Sequence, residues 1–251
     1  DAWDEEVDVV VVGSGGGGIT GSVRLADAGK QVILLEKNEK TGGTTSYGGM
    51  FVNFGGHRLA NEAQWAIPVF PYDPNAVVTY VNDMQQMTVD PELLYAMAVK
   101  GPECIDWMAD CGVRWRLGEV PVYVAPKRST LDHHVLKMKD ATDAMYNYGY
   151  AHGVDFHFQS PAVALVQDDD GRIVGVVVNE DYETERYIRA DRAVILTAGG
   201  FCNNKALLDK YIPTAAMGCA SSYLTAGERG ECFRMGLGVG ADVSGFNSSA
   251  S

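Results

Sequence analysis

Positive charge is scarce in these 251 residues: 20 Lys and Arg stand against 33 Asp and Glu, a net of 20 − 33 = −13. That balance argues against nucleic acid and anionic membrane surfaces as partners, because both repel an acidic protein. Long apolar runs are missing too, and none approaches the ~20 residues that a membrane-spanning helix needs. The five cysteines, Cys104, Cys111, Cys202, Cys219 and Cys232, contain no C-x-x-C, and their odd number signals neither a disulfide framework nor a metal cluster. His57, His133, His134, His152 and His157 show no zinc-ligand spacing, so no metal is expected. Free thiols fit a reducing compartment, and the expected location is the cytoplasm, with Asp1 in first place leaving a removed leader open. No internal repeat or low-complexity linker divides the chain. A 46% hydrophobic fraction is enough for the core of one large domain or two small ones.

What is present is organised around residues 7–37. Residues 7–12 are β-branched except at Asp8, a run suited to a strand buried on both faces of a parallel sheet. It runs straight into Gly13, Ser14, Gly15, Gly16, Gly17 and Gly18, which fit G-x-G-x-x-G. Gly13 allows a tight turn, Gly15 lets backbone approach a pyrophosphate, and Gly18 lets helix and strand pack closely. A helix over 19–28, stopped by Gly29, offers its N-terminal N–H groups to phosphate. A second strand, 31–35, ends at Glu36, placed where a carboxylate accepts the ribose hydroxyls of an adenosine. Together these parts predict a dinucleotide site.

Next comes Lys37, then a second glycine-rich loop of Gly42, Gly43, Thr44, Thr45, Ser46, Tyr47, Gly48 and Gly49. Its backbone can lie against a ligand, with hydroxyls beside it. An E-K-x-x-x-x-G-G-T-T-x-x-G-G-M loop after such a fingerprint resembles the FAD-binding domain of the fumarate reductase and 3-ketosteroid dehydrogenase superfamily. Later, residues 161–167, 172–179 and 184–188 read as a three-stranded meander. It leads to strand 193–196 and Thr197-Ala198-Gly199-Gly200, similar to the family's A-T-G-G with the middle pair transposed. The stretch 225–230 resembles the family's G-A-x-G-D-G, enlarged by a residue.

The resemblance implies an α/β fold: a three-layer Rossmann-like FAD-binding domain with a parallel sheet, a β-meander and a helical insertion. Residues 1–50 are expected to form its first part, 51–150 a mainly helical insertion, and 151–251 its continuation. Within the insertion, helices are predicted over 75–87, over 91–97 from an Asp90 cap, and over 102–111 from Pro102. Two short strands are predicted within 113–124 and a long helix over 131–152, with at most one of His133 and His134 facing inward.

The resemblance further implies FAD instead of NAD, held non-covalently, since Ser46-Tyr47 stand where respiratory relatives place a flavin-linked histidine. The cofactor residues so implied are Gly13 to Gly18, Glu36, Lys37, Gly42 to Ser46, Gly48, Gly49 and Ala198 to Gly200. Tyr47 is the candidate catalytic residue and Tyr223 a substrate-contact candidate. The implied reaction adds or removes hydrogen across an activated C–C bond by hydride transfer through flavin N5. In the family a capping domain and the second half of the FAD domain follow the region matched here, so the main catalytic residues are expected beyond Ser251. The expected partners are a small-molecule substrate and a missing C-terminal half or second polypeptide. Apolar Phe51, Val52, Phe54, Leu59 and Trp65, beside only His57 and Arg58 as cations, tilt the substrate toward a bulky 3-keto, steroid-like compound. A small unsaturated carboxylate, as for a fumarate reductase, is the alternative. A non-catalytic flavin-binding subunit is the alternative of another class.

Overall fold

The computed structural model describes residues 3–48, 51–52, 56–58, 72–84, 90–117, 133–134, 138–213 and 227–243. In chain order the elements are β1 (Glu5–Val12), α1 (Gly16–Asp27), β2 (Val32–Leu35), a 3-10 turn (Gly43–Tyr47), β3 (Phe51–Val52), α2 (Pro74–Met84), α3 (Pro91–Asp110), β4 (Arg116–Leu117), β5 (His133–His134), α4 (Met138–Ala151), β6 (Val154–His157), β7 (Ala162–Gln167), β8 (Ile173–Glu180), β9 (Thr184–Leu196), α5 (Lys205–Tyr211) and α6 (Glu231–Gly238). They fall into two compact units, residues 1–48 with 142–251, and residues 49–141.

The first unit is built on one sheet in the order β6-β2-β1-β9-β8-β7. β1 pairs in parallel with β2 on one side and β9 on the other, and β6 pairs in parallel with β2. The expected neighbours, residues 7–12, 31–35 and 193–196, therefore do lie side by side. Val10, Val11 and Leu34 are fully enclosed. Each such side chain stabilises the fold by about 1.5–3 kcal/mol relative to an exposed one, which is why a β-branched run with no polar face settles in the middle of the sheet. From β1 the chain proceeds outward to β2 and β6, then returns on the opposite side of β1 as β9. That reversal opens a crevice at the carboxyl ends of the strands.

Asp8, the one polar residue of β1, sits opposite a bulge. The pairing of β1 with β9 shifts between Val7 and Val9. Arg192 Nε donates to Asp8 Oδ1 at 2.7 Å, and the Gln31 amide donates to Oδ2 at 3.1 Å. The Arg192 hydrogen bond, followed by that from Gln31, holds the Asp8 carboxyl below its ordinary range.

Four features differ from the sequence reading. The third meander strand and the returning strand are one continuous β9, because the bulge absorbs Asp191 and Arg192 without ending the pairing. β6 had no sequence signal; only Val154 of its four residues is buried, and it lies at the sheet edge, where polar residues are tolerated. α3 runs unbroken through Pro102, so no new helix starts there. Proline has no N–H to give the Ala98 carbonyl one turn earlier, and Tyr72 Oη donates to that carbonyl at 2.8 Å instead. Finally, residues 133–134 form β5, and the helix begins only at Met138.

The second unit contains α2, α3 and a small antiparallel sheet, β3-β5-β4. Asp90 caps α3 as expected, accepting from the amides of Glu92 at 2.9 Å and Leu93 at 3.3 Å. Of the two strands predicted within 113–124, β4 is described, and the remainder lies outside the described residues.

Candidate functional site

Three parallel strands stop at one level: Val12 lies opposite Leu35 on β2 and Leu196 on β9. The ladder continues one step into the loops. The Gly13 amide donates to Leu35 O, the Thr197 amide to Val12 O, and the Glu36 amide to His157 O, each at 2.8 Å. The loops after β1, β2 and β9 are thus held together by sheet hydrogen bonds. They enclose a cavity of about 250 Å³.

The β1–α1 turn needs its glycines. Gly13 has φ +97°, and a Cβ there would stand 2.7 Å from Ala198 Cα. A Cβ on Gly18 would stand 1.8 Å from Gly13 O. Gly15 caps α1 without a side-chain hydrogen bond, and no acidic residue occupies the first turn. The positive end of the helix dipole is therefore uncompensated by its own residues, a condition that favours an anion. Thr197 braces the turn from β9, its hydroxyl donating to Val12 O at 2.9 Å and Gly13 O at 3.1 Å.

Glu36 is buried and fully engaged. Its Oε2 accepts from the Ser14 amide at 3.0 Å and from the Ser14 hydroxyl. Its Oε1 accepts from the Asn38 amide and side-chain amide, both at 2.8 Å. The carboxylate thus ties the glycine turn to the end of β2. The second glycine-rich loop docks on the same turn. The Gly42 amide donates to Ser14 O at 2.9 Å, and Thr45 Oγ1 accepts from the Gly16 amide at 2.9 Å.

The rim is charged. Lys37 Nζ pairs with Glu231 Oε1 at 2.6 Å and also donates to Gly227 O. Burial pushes the Glu231 carboxyl up, but the Lys37 ammonium and backbone N–H donors outweigh it and hold the group below the usual carboxylate range.

Of the residues expected at the cofactor, Gly13 to Gly17, Glu36, Lys37, Gly43, Thr44, Thr45, Ala198 and Gly199 line the cavity. Gly18, Gly42, Ser46, Gly48 and Gly200 are not among its lining residues; they shape it from behind. Gly42 (φ +105°) opens the 3-10 turn and Gly48 closes it, its amide donating to Thr45 O at 3.0 Å. Ser46 faces Thr142, 3.4 Å away between hydroxyls. Gly200 O accepts from the Gly230 amide at 3.1 Å. Tyr47 is 69% exposed and does not line the cavity. Gly49 and Tyr223 lie outside the described residues, as do Phe54, Leu59 and Trp65; of Phe51 and Val52 only the strand is described.

The sequence reading missed Asn38, Ser160, Thr197, Gly227, Glu228 and Glu231, all of which line the cavity. Thr197 and the 225–230 stretch stood inside motifs already noted, and Asn38 follows the Glu-Lys pair. Ser160 carried no signal. Its amide donates to Glu36 O at 2.9 Å, a contact created only when β6 pairs with β2.

Away from the cavity, Glu5, Asp155 and His157 bring one ligand atom each within 4.8 Å of one another, a grouping that histidine spacing did not reveal. Glu5 there is already ion-paired to Arg186. Among the described residues no helix is long and apolar enough to cross a membrane.

The family model for an FAD binding domain matches residues 8–248. A fumarate reductase (cytochrome) from Shewanella frigidimarina is 27% identical over 84% of this chain and 36% of its own length. A urocanate reductase from Eggerthella lenta is 28% identical over 95% of this chain and 39% of its own. The chain therefore spans well under half the length of these two curated relatives. Among solved structures, a 3-ketosteroid-Δ4-(5α)-dehydrogenase from Rhodococcus jostii RHA1, in complex with 4-androstene-3,17-dione, superposes with a TM-score of 0.83. It is 25% identical, and the match covers 96% of this chain and 55% of that one.

Proposed function

The chain belongs to the FAD binding domain family, and on that premise we propose that it is the cofactor-holding part of an oxidoreductase that adds or removes hydrogen across an activated C–C bond. The carrying observation is the crevice where β1 and β9 run out into glycine-containing loops and β2 into Glu36 around one cavity, with Gly15 to Gly17 at the N-terminus of α1 in its lining. Its walls fit a dinucleotide: Gly13 to Gly17 bring backbone to the cavity, and side chains at Gly13 or Gly18 would collide with the backbone of Ala198 or Gly13 and break the turn that presents it. FAD, when bound, supplies the hydride acceptor and donor.

This chain's residues do the holding. The Gly13–Gly17 backbone and the α1 dipole receive the pyrophosphate. Glu36 keeps the Ser14 amide in place and accepts a ribose hydroxyl in exchange for the Ser14 or Asn38 side-chain donor. Gly43, Thr44 and Thr45 follow the cofactor toward its ring, and Ala198 and Gly199 close the opposite wall. The contacts are non-covalent. Tyr47, one residue past Ser46 on an exposed turn, is the candidate of this chain for meeting substrate. The complementary half of the site comes from polypeptide outside residues 1–251.

For the substrate we favour a bulky 3-keto compound, on the apolar residues between Tyr47 and Trp65 and on the likeness to the ketosteroid dehydrogenase. A small unsaturated carboxylate is the second reading, favoured by the fumarate and urocanate reductases among the relatives. The test uses the complete protein that carries this chain, mixed anaerobically with a 3-ketosteroid while absorbance near about 450 nm, where flavins absorb, is followed. Bleaching supports the keto reading. Reoxidation of the reduced protein by fumarate or urocanate alone replaces it with the carboxylate reading. A flavin that responds to neither leaves a flavin-binding subunit without catalysis, and protein that never takes up FAD overturns the whole proposal.

A further inference from the structure

We propose that Lys37 serves the cofactor without touching it: with Glu231 it forms a charged clasp that holds segment 227–231 across the cavity rim, so it is a positioning residue and not a phosphate ligand. The inference rests on the FAD reading of the cavity.

Electrostatics sets the problem. The described lining contains three carboxylates, Glu36, Glu228 and Glu231, and one cation, Lys37. A pyrophosphate is itself dianionic, so an unpaired Glu231 would repel the ligand the cavity is built for. A lysine facing such a cavity invites assignment to the phosphates. Its ammonium is instead already placed, 2.6 Å from Glu231 Oε1 and donating to Gly227 O.

The geometry is that of a clasp with two anchored ends. On one side, Lys37 directly follows Glu36 at the end of β2, and its own carbonyl accepts from Tyr182 Oη in the turn between β8 and β9. On the other side, segment 227–231 is pinned to the loop after β9. The Asn203 amide donates to Glu228 O at 2.9 Å and the Gly230 amide to Gly200 O at 3.1 Å. Gly230, at φ +77°, makes the tight turn into α6, and a Cβ there would stand 2.6 Å from Leu207 Cδ1. The Lys37–Glu231 bridge joins these two anchored sides, 194 residues apart in sequence. Both partners are about three-quarters shielded from solvent, so salt screens the pair less than a surface bridge.

The two roles for Lys37 predict opposite signs for Glu231→Gln. Under the clasp, FAD affinity measured by quenching of flavin fluorescence falls about tenfold in both Lys37→Met and Glu231→Gln, and the double variant is no worse than the weaker single. The charge-swapped pair Lys37→Glu with Glu231→Lys recovers most of the loss, which neither a misfolded variant nor a lost phosphate contact would do. ADP affinity shifts in parallel with FAD. If Glu231→Gln tightens FAD or leaves it unchanged while Lys37→Met weakens it, Lys37 binds phosphate and the clasp is overturned. If wild-type protein binds no FAD, the cofactor reading fails separately. Hydrogen exchange of the 227–233 amides in ligand-free protein then decides: faster exchange in both single variants keeps the clasp, and unchanged exchange removes it.

Discussion

The two compact units each contain a break in regular backbone, and they handle it in opposite ways. In the first, Gly13 to Gly18 turn sharply out of β1, and the turn leaves a cavity with the N-terminal end of a helix facing it. In the second, Pro102 removes a hydrogen bond from the middle of α3, and the hydroxyl of Tyr72 satisfies the released Ala98 carbonyl from within the same unit. An irregularity repaired internally is structure. One left open toward a cavity, with donors and a dipole in place, is prepared for a ligand.

The largest predicted effect breaks the open one. Gly18→Ala puts a methyl 1.8 Å from Gly13 O, a backbone clash that only displacement of the turn relieves. FAD affinity should fall at least about 100-fold, with stability lowered by about 3 kcal/mol or more as overpacking goes. Fluorescence titration and thermal unfolding check both; near-normal affinity would mean the turn is not where the cofactor lies.

Glu36→Gln comes next. The amide keeps one acceptor but turns a donor toward either Ser14 or Asn38, which themselves donate. Losing charge-assisted hydrogen bonds of this kind costs about 1.5–3 kcal/mol, read as a roughly tenfold or greater loss of FAD affinity. Glu36→Asp should recover little, because the shorter side chain cannot reach both partners.

Tyr72→Phe tests the repaired break. Burial pushes the Tyr72 phenol up, so it remains a donor across the working pH range. Removing it leaves the Ala98 carbonyl without that partner, at a cost of about 1–3 kcal/mol. The expected signature is a lower unfolding temperature with FAD affinity unchanged within about twofold. A matching loss of FAD affinity would erase the distinction drawn between the two units.

The smallest effect is a pH dependence at Asp8. Its folded-state carboxyl lies below the ordinary value, chiefly through the Arg192 hydrogen bond. A depressed carboxylate stabilises the fold above its unfolded pKa, and that contribution is lost as pH falls through the folded value, hence below about pH 4. Asp8 is solvent-screened there, so the change is slight. Asp8→Asn should flatten the acid limb of the stability profile a little and leave FAD binding alone; a steeper limb would contradict the sign.

The fold of the first unit was legible where strands are central. β2 and the second half of β1 are buried on both faces, so their residues must be apolar, and the half-buried apolar end of β9 pairs beside them, so the pattern shows in sequence. β6 was not legible, because an edge strand is held by backbone hydrogen bonds that any side chain permits. Pro102 misled for a related reason. Proline reports the missing N–H of its own residue, and nothing near it in sequence reports that a tyrosine thirty residues earlier supplies a substitute. In the candidate site, the glycines announced themselves through the turns they allow. Ser160 and Glu231 did not, since their places depend on strand order and on a pair formed across 194 residues.

By itself, the sequence determined the dinucleotide turn, the acid ending β2 and the kinship of the loop that follows, because each is a local requirement of backbone geometry met by consecutive residues. Only the tertiary structure decided that Glu36 is clamped between Ser14 and Asn38, that meander and main sheet share one bulged strand, and that Lys37 faces Glu231. Those outcomes depend on which charges and carbonyls the fold brings within 3 Å of one another, and distance in space is not written in the order of residues.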